Sequence, residues 1–274
     1  MGLLSDMHHS SLQRVAAARD RVPEAALRAA VLATPVPPPL RLARHGFDII
    51  AEMKLRSPSL GDLSLSTVDP VRRLEAYAEG GAAACSILTE PTRFDGDLEH
   101  LQLAADTLQP YGVPAMRKDF LVDPYQVLEA RAHGASGVLL IVRMLPRDRL
   151  IAMLDCAADH GLFVLLEAFD ADDLQVAEDI ARERGARDEQ VLMGLNCRDL
   201  ETLQIDFSRF AELRGRMPLE WPCVAESGVQ APEDAARVAE LGYRLALVGT
   251  SLMRRADPAR AVRELLDAGR KALP

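Results

Sequence analysis

VPAMRKDFLVDPYQVLEARAHGASGVLLIV, residues 113–142, holds the pattern on which the whole chain is built. A short apolar run (113–116) ends in the charged triplet Arg117-Lys118-Asp119. A helical stretch follows at 124–133, and a second run, 137–142, is continuously hydrophobic. Runs of this kind are what strands buried on both faces require, and a helix between two of them implies a parallel crossover. The pattern extends in both directions. Apolar runs recur at 47–53, 84–88, 162–166, 191–195, 223–225 and 245–248. Amphipathic helical stretches lie at 68–79, 98–108, 146–160, 171–184, 207–214, 232–241 and 258–269. Eight strands, each followed by a helix, close a barrel, whereas open doubly wound sheets more often hold five or six. The expected fold is α/β, a (β/α)8 TIM barrel. The repeat is architectural, with no repeat of sequence.

Residues 1–46 read differently. Positions 11–21 and 24–32 are rich in Ala, Arg and Leu at helical spacing, and Pro35-Val36-Pro37-Pro38-Pro39 then forbids helix. The division expected is a short helical N-terminal extension with a proline connector (1–46) and a catalytic barrel (47–274). The full length of 274 residues is compatible with one barrel domain, and 49% hydrophobic residues suffice for a packed core. A net charge of -9 argues against nucleic-acid binding, which needs a basic footprint. No apolar stretch reaches the roughly 18–20 residues of a membrane span. The N-terminus lacks the basic and apolar regions of a signal peptide, and Asp6 stands where a myristoylation motif wants Ser or Thr. Cys85, Cys156, Cys197 and Cys223 are scattered, without metal-ligand or disulfide spacing, so free thiols in a reducing cytoplasm are expected.

In such a barrel the reacting groups sit at the C-terminal ends of the strands. The first apolar run ends in Glu52 and Lys54, on one side of the strand, and leads into Ser57-Pro58-Ser59-Leu60-Gly61. The later runs end in Thr89-Glu90, Lys118, Arg143, Glu167, Asn196-Cys197-Arg198-Asp199, Glu226-Ser227-Gly228 and Gly249-Thr250-Ser251. One compensating ion pair is ordinary in a barrel interior. Lys or Glu at five strand ends points to acid–base chemistry. Glycines after strands seven and eight let backbone N–H groups approach an anion, the usual place for phosphate in these barrels. The six histidines lie in the N-terminal segment or on helices, and no HExxH, Walker or GxGxxG motif occurs. Neither a catalytic metal nor a nucleotide cofactor is expected.

With these residues in place, the sequence resembles the indole-3-glycerol phosphate synthase family. The matching segments run in order from IIAEMKLRSPSLG (49–61) through MRKDFLVDPYQ (116–126), LLEAFD (165–170), MGLNCRDLETLQID (193–206) and AESGVQAPEDA (225–235) to LVGTSLMR (247–254). The resemblance implies decarboxylating and dehydrating ring closure of 1-(2-carboxyphenylamino)-1-deoxyribulose 5-phosphate in tryptophan biosynthesis, without a cofactor. It implies Lys118 as general acid for ring closure and Glu167 as the acid–base group of dehydration. Lys54, positioned by Glu52, would bind the substrate's charged groups and share in proton transfer. Asn196 and Glu226 would orient the intermediate, and Arg198 would neutralise an anionic group. Ser57, Ser227, Gly228, Gly249 and Thr250 would line the phosphate and glycerol site. A monomer is compatible with this reading. The departures are Leu60, where the family often carries lysine, Ala168-Phe169 after Glu167, Cys197 after Asn196, and Thr250. Two competing readings are another phosphosugar barrel enzyme, such as a phosphoribosyl anthranilate isomerase, and a non-catalytic phosphate-binding or complex-forming subunit. The first would need a Cys/Asp or Asp/Asp pair in place of Lys and Glu.

Overall fold

The computed structural model describes residues 2–44, 46–54, 56–57, 61–62, 69–185, 191–200 and 202–273. Eight parallel strands close on themselves: β1 (Asp48–Met53), β2 (Ala84–Leu88), β3 (Ala115–Lys118), β4 (Gly137–Ile141), β5 (Phe163–Ala168), β6 (Val191–Asn196), β7 (Cys223–Glu226) and β8 (Leu245–Val248). β8 pairs back onto β1 through Ala51 opposite Val248. Both faces of these strands are buried, one by the barrel interior and one by the surrounding helices. That is why their sequences are apolar at successive positions rather than at alternate ones.

Several surrounding helices begin at an Asp-Pro pair. Asp69, Asp123 and Asp257 each accept a hydrogen bond from a backbone N–H of the first turn. Pro70, Pro124 and Pro258 fill the first helical position, where no donor is lost. These three caps start α3 (Pro70–Glu79), α5 (Pro124–Ala132) and α9 (Pro258–Ala272), with α4 (Leu98–Leu108) capped by Asp97 between the first two. Asp170 caps α7 (Ala171–Glu183) in the same way, whereas α6 (Arg147–Asp159) and α8 (Pro232–Glu240) carry no such aspartate at the cap position.

The extension consists of α1 (Leu3–Arg21) and α2 (Glu24–Ala33). α1 buries Met7, Ser11, Val15 and Ala18, one face of a helix, against the barrel wall. Polar contacts fix its register. Arg14 holds Asp119 with two hydrogen bonds of 2.8 and 2.9 Å, and Arg19 reaches Asp123 at 2.8 Å. The Tyr125 hydroxyl donates to the Val22 carbonyl at 2.8 Å, and Gln126 Nε2 donates to Ser11 Oγ at 2.9 Å. The connector is clamped at the other end of the barrel, where Arg244 donates to the carbonyls of Ala43 and Gly46.

Three local expectations shift. α1 starts at Leu3, eight residues earlier than its Ala/Arg pattern announces, because Met7 extends the buried stripe. β3 runs on to Lys118, since Leu88 of β2 pairs with it and its inward side tolerates charge at the barrel mouth. The stretch 207–214 forms only a four-residue helix, Arg209–Glu212. Asp206 Oδ1 accepts from both the backbone N–H and the hydroxyl of Ser208, a local turn that competes with helix at the start. Among the described residues no helix is long and apolar enough to cross a membrane.

Candidate active site

A cavity of about 490 Å³ opens at the C-terminal ends of the strands. Glu52, Lys54, Lys118, Glu167, Asn196, Arg198, Glu226, Ser227, Gly228, Gly249 and Thr250 all line it. Of the site residues expected from sequence, Ser57 alone is not placed. Its backbone pairs with Gly61 in a two-residue ladder, and its side chain lies outside the described residues, as do Pro58, Ser59 and Leu60.

The register explains the convergence. Glu167 stands opposite Gly194, and Asn196 opposite Glu226, so the inward positions of β5, β6 and β7 reach the mouth at one level. Lys118 Nζ donates to Glu167 Oε1 at 3.1 Å and lies 3.5 Å from Glu226 Oε2. Asn196 Nδ2 donates to the same Glu167 oxygen at 3.0 Å, while its Oδ1 accepts from the Arg198 N–H at 3.0 Å. On the far side Lys54 Nζ donates to Glu52 Oε1 at 2.7 Å.

Two glycines make room for these carboxyls. A Cβ at Gly194 would collide with Glu226 Oε1, and one at Gly249 would collide with Glu52 Oε1 and approach Lys54 Nζ to 3.1 Å. Gly249→Val therefore pushes the Glu52–Lys54 pair out of place. The expected result is a fall in kcat/KM of up to about 10²-fold with the fold retained, checked by steady-state kinetics beside circular dichroism. The turn after β7 uses a left-handed backbone at Ser227 (φ 66°) and Gly228 (φ 82°), and both residues line the cavity.

Burial disfavours the ammonium of Lys118, but Glu167, Glu226 and Glu52 outweigh it and hold the group above the ordinary lysine range. Burial likewise pushes Glu52 upward, and Lys54, Lys118 and Arg198 more than reverse the effect, so its carboxyl lies below the ordinary range. Burial, then the neighbouring Glu167, drives Glu226 well above the usual carboxylate range, with Lys118 opposing. The carboxylates thus decide the charge of Lys118, which clustering with a second lysine and desolvation alone would have lowered. The departure at Cys197 is chemically quiet. Its thiol is buried beside the Ser227 carbonyl, and burial pushes it up to about 12.

The cavity also has parts with little or no sequence signal. Phe94, Phe120, Leu139 and Ile141 line it with apolar surface, as do Leu200, Leu203 and Leu3 of α1. Phe120 lies two residues beyond Lys118, a spacing that marks it once β3 is known to extend that far. Arg254 stands on the rim a helical turn after Thr250, so helix spacing could have found it. Leu3 had no such marker. Conversely, some strand-end polar groups serve the scaffold. Glu90 caps the Pro91–Phe94 turn, Thr89 donates to Asp119 at 2.8 Å, and Arg143 pairs with Asp170 and Asp173.

A closed barrel whose mouth joins a lysine–carboxylate cluster, glycine turns and an apolar wall defines an acid–base enzyme site for a small molecule with anionic and apolar parts. The chain belongs to the indole-3-glycerol phosphate synthase family, whose model matches residues 4–265. Family members are carboxy-lyases of tryptophan biosynthesis acting on a phosphorylated small molecule. The indole-3-glycerol phosphate synthase of Mycobacterium leprae is 39% identical over 245 residues, 89% of this chain and 86% of its own. That of Parafrankia sp. is 42% identical over 224 residues, covering 81% and 78%. Among solved structures, 3-hexulose-6-phosphate synthase from Salmonella typhimurium (TM-score 0.62, 10% identity, 82% of this chain and all of that one) shares the fold. So does thiamine phosphate pyrophosphorylase from Pyrococcus furiosus (TM-score 0.60, 18% identity, 84% and 99%).

Proposed function

We propose that the Lys118–Glu167–Glu226 cluster is the reacting centre for ring closure of 1-(2-carboxyphenylamino)-1-deoxyribulose 5-phosphate to indole-3-glycerol phosphate. The observation that carries the assignment is Lys118 Nζ held between two buried carboxyls at 3.1 and 3.5 Å, in a cavity also lined by apolar side chains. The aromatic ring lies against Phe94, Phe120, Leu139 and Ile141. The phosphate takes the N–H groups of the Ser227-Gly228 and Gly249-Thr250 turns, with Lys54 beside it. Holding both ends folds the substrate, so that the ring carbon bearing the carboxylate approaches the ketose carbonyl.

Lys118 gives its proton to the carbonyl oxygen as the carbon–carbon bond forms. Loss of CO2 returns the electron pair to the ring. Restored aromaticity drives that step, so no cofactor is needed as an electron sink. Glu167, oriented by Asn196, then acts in loss of the hydroxyl as water, while Arg198 faces the carboxylate. Glu52 holds Lys54 in place.

The division into an extension (1–46) and a catalytic barrel (47–274) accompanies this reading, with α1 completing the cavity wall through Leu3. A monomer is the working unit in this reading. Four free, buried cysteines suit a reducing cytoplasm.

Lysine chemistry supplies a test of the site. The chain has only three lysines, Lys54, Lys118 and Lys271. With 15N-labelled lysine, addition of indole-3-glycerol phosphate is expected to shift the Nζ resonances of Lys54 and Lys118 and leave Lys271 unmoved. Unchanged Lys54 and Lys118 signals at saturating ligand would contradict the placement.

A further inference from the structure

The cluster holds three carboxyls against two lysines. Glu52 has Lys54 at 2.7 Å, and Glu167 has Lys118 at 3.1 Å and Asn196 at 3.0 Å. Glu226 is left over. It is 1% exposed, neither of its oxygens has a hydrogen-bond partner among the described residues, and Lys118 stands 3.5 Å away, nearer to Glu167. A buried carboxylate without hydrogen bonds is expensive, and two carboxyls sharing one ammonium do not both ionise readily. The absence of a side chain at Gly194, between β5 and β7, lets the Glu226 carboxyl face Glu167. The other ionisable groups lining the cavity are Glu52 on β1, Lys54 just beyond it, Asp119 after β3, Arg198 after β6 and Arg254 beyond β8. β4 and β8 present Leu139, Ile141, Leu247 and Gly249, none of which ionises.

The reaction has a matching need. The substrate's carboxylate leaves as CO2 and its keto oxygen leaves as water, so that oxygen must receive two protons. One comes at ring closure and one as the hydroxyl departs. A single proton is returned from carbon as the indole forms, so each turnover consumes one proton overall. Lys118 is spent at ring closure, so the dehydration step needs a second donor.

We infer that Glu226 carries this second proton into the reaction and delivers it through Glu167 to the departing hydroxyl. The inference rests on the assignment of the reaction above and deepens it. The sequence balances. Lys118 protonates the carbonyl oxygen and becomes a neutral amine, and CO2 leaves with the electrons returned to the ring. The Glu226 proton passes by way of Glu167 to the hydroxyl, which departs as water. The Lys118 amine takes the proton lost from carbon, and solvent reloads Glu226. The elevated proton affinity of Glu226, set by burial and by Glu167, is in accord with this order.

The test follows CO2 release and indole fluorescence separately in single turnovers of the wild type and Glu226→Gln, which keeps the shape and removes the proton. Indole formation in the variant is expected to lag by about 10²-fold, the low end for a lost general acid, while CO2 release stays within about threefold of wild type. Equal slowing of both signals would overturn the inference and assign Glu226 an orienting role only. A wild type that releases neither product would overturn the underlying assignment instead. Infrared spectroscopy of the wild type reads the proton independently of the variant's folding. A protonated-carboxyl band persisting above pH 7 without substrate supports the inference, and its absence at that pH overturns it.

Discussion

Replacing Lys118 with methionine is expected to lower kcat by about 10²–10⁴-fold, the span of a lost general acid, while substrate still binds. Methionine keeps the length and the apolar stem of lysine and removes only the ammonium, so folding should survive. The loss falls on the chemical step because Lys118 meets the substrate's developing alkoxide, and an interaction made in the transition state appears in kcat. Arginine should not rescue activity. It preserves the charge between Glu167 and Glu226, but a guanidinium does not give up its proton at any pH the protein withstands. Steady-state kinetics on wild type, Lys118→Met and Lys118→Arg check both statements. An arginine variant with near-normal kcat would make Lys118 a charge rather than an acid.

Replacing Asp119 with alanine is expected to cost about 3–5 kcal/mol of stability, because it leaves buried cations without their partner. Asp119 is fully buried at the side chain and is held by Arg14 of α1, Arg117 of β3, and Thr89. Burial alone would raise its carboxyl, yet these partners bring it to about 2. A carboxyl whose folded-state value lies below its unfolded one contributes stability that is fully present above about pH 4. That contribution is lost as pH falls toward 2. Acid unfolding of the wild type is therefore expected to steepen in that window, and Asp119→Ala should lose that steepening. Chemical denaturation at pH 7 and pH 3 measures both effects. Because Asp119 adjoins Lys118, the same clamp ties the extension to the strand that carries the proposed acid. Sequence gave no hint of it, since Arg14 and Asp119 lie 105 residues apart.

What could be read from sequence follows from period and place. Strands buried on both faces advertise themselves as apolar runs, and polar residues terminating such runs converge at one rim. Glu52, Lys118, Glu167, Asn196 and Glu226 can thus be assembled from sequence alone. The glycines at 194 and 249 are less readable: the resemblance implies the phosphate site for Gly249, while the carboxyl that each admits depends on neighbouring strands. The charge of Lys118 was out of reach for a related reason. Clustered lysines and burial argue for a lowered value, and only the three-dimensional count of nearby carboxyls reverses the sign. Leu3 lines the cavity because α1, held through Arg14 to Asp119, brings its first turn there.

The central claim is that this cavity closes and decarboxylates the substrate. The most direct measurement gives the purified chain a limiting amount of 1-(2-carboxyphenylamino)-1-deoxyribulose 5-phosphate and quantifies CO2 together with indole product. One equivalent of each per substrate is the expected result. Substrate recovered intact from a folded protein that binds it would contradict the claim and mark the site as a binding site alone.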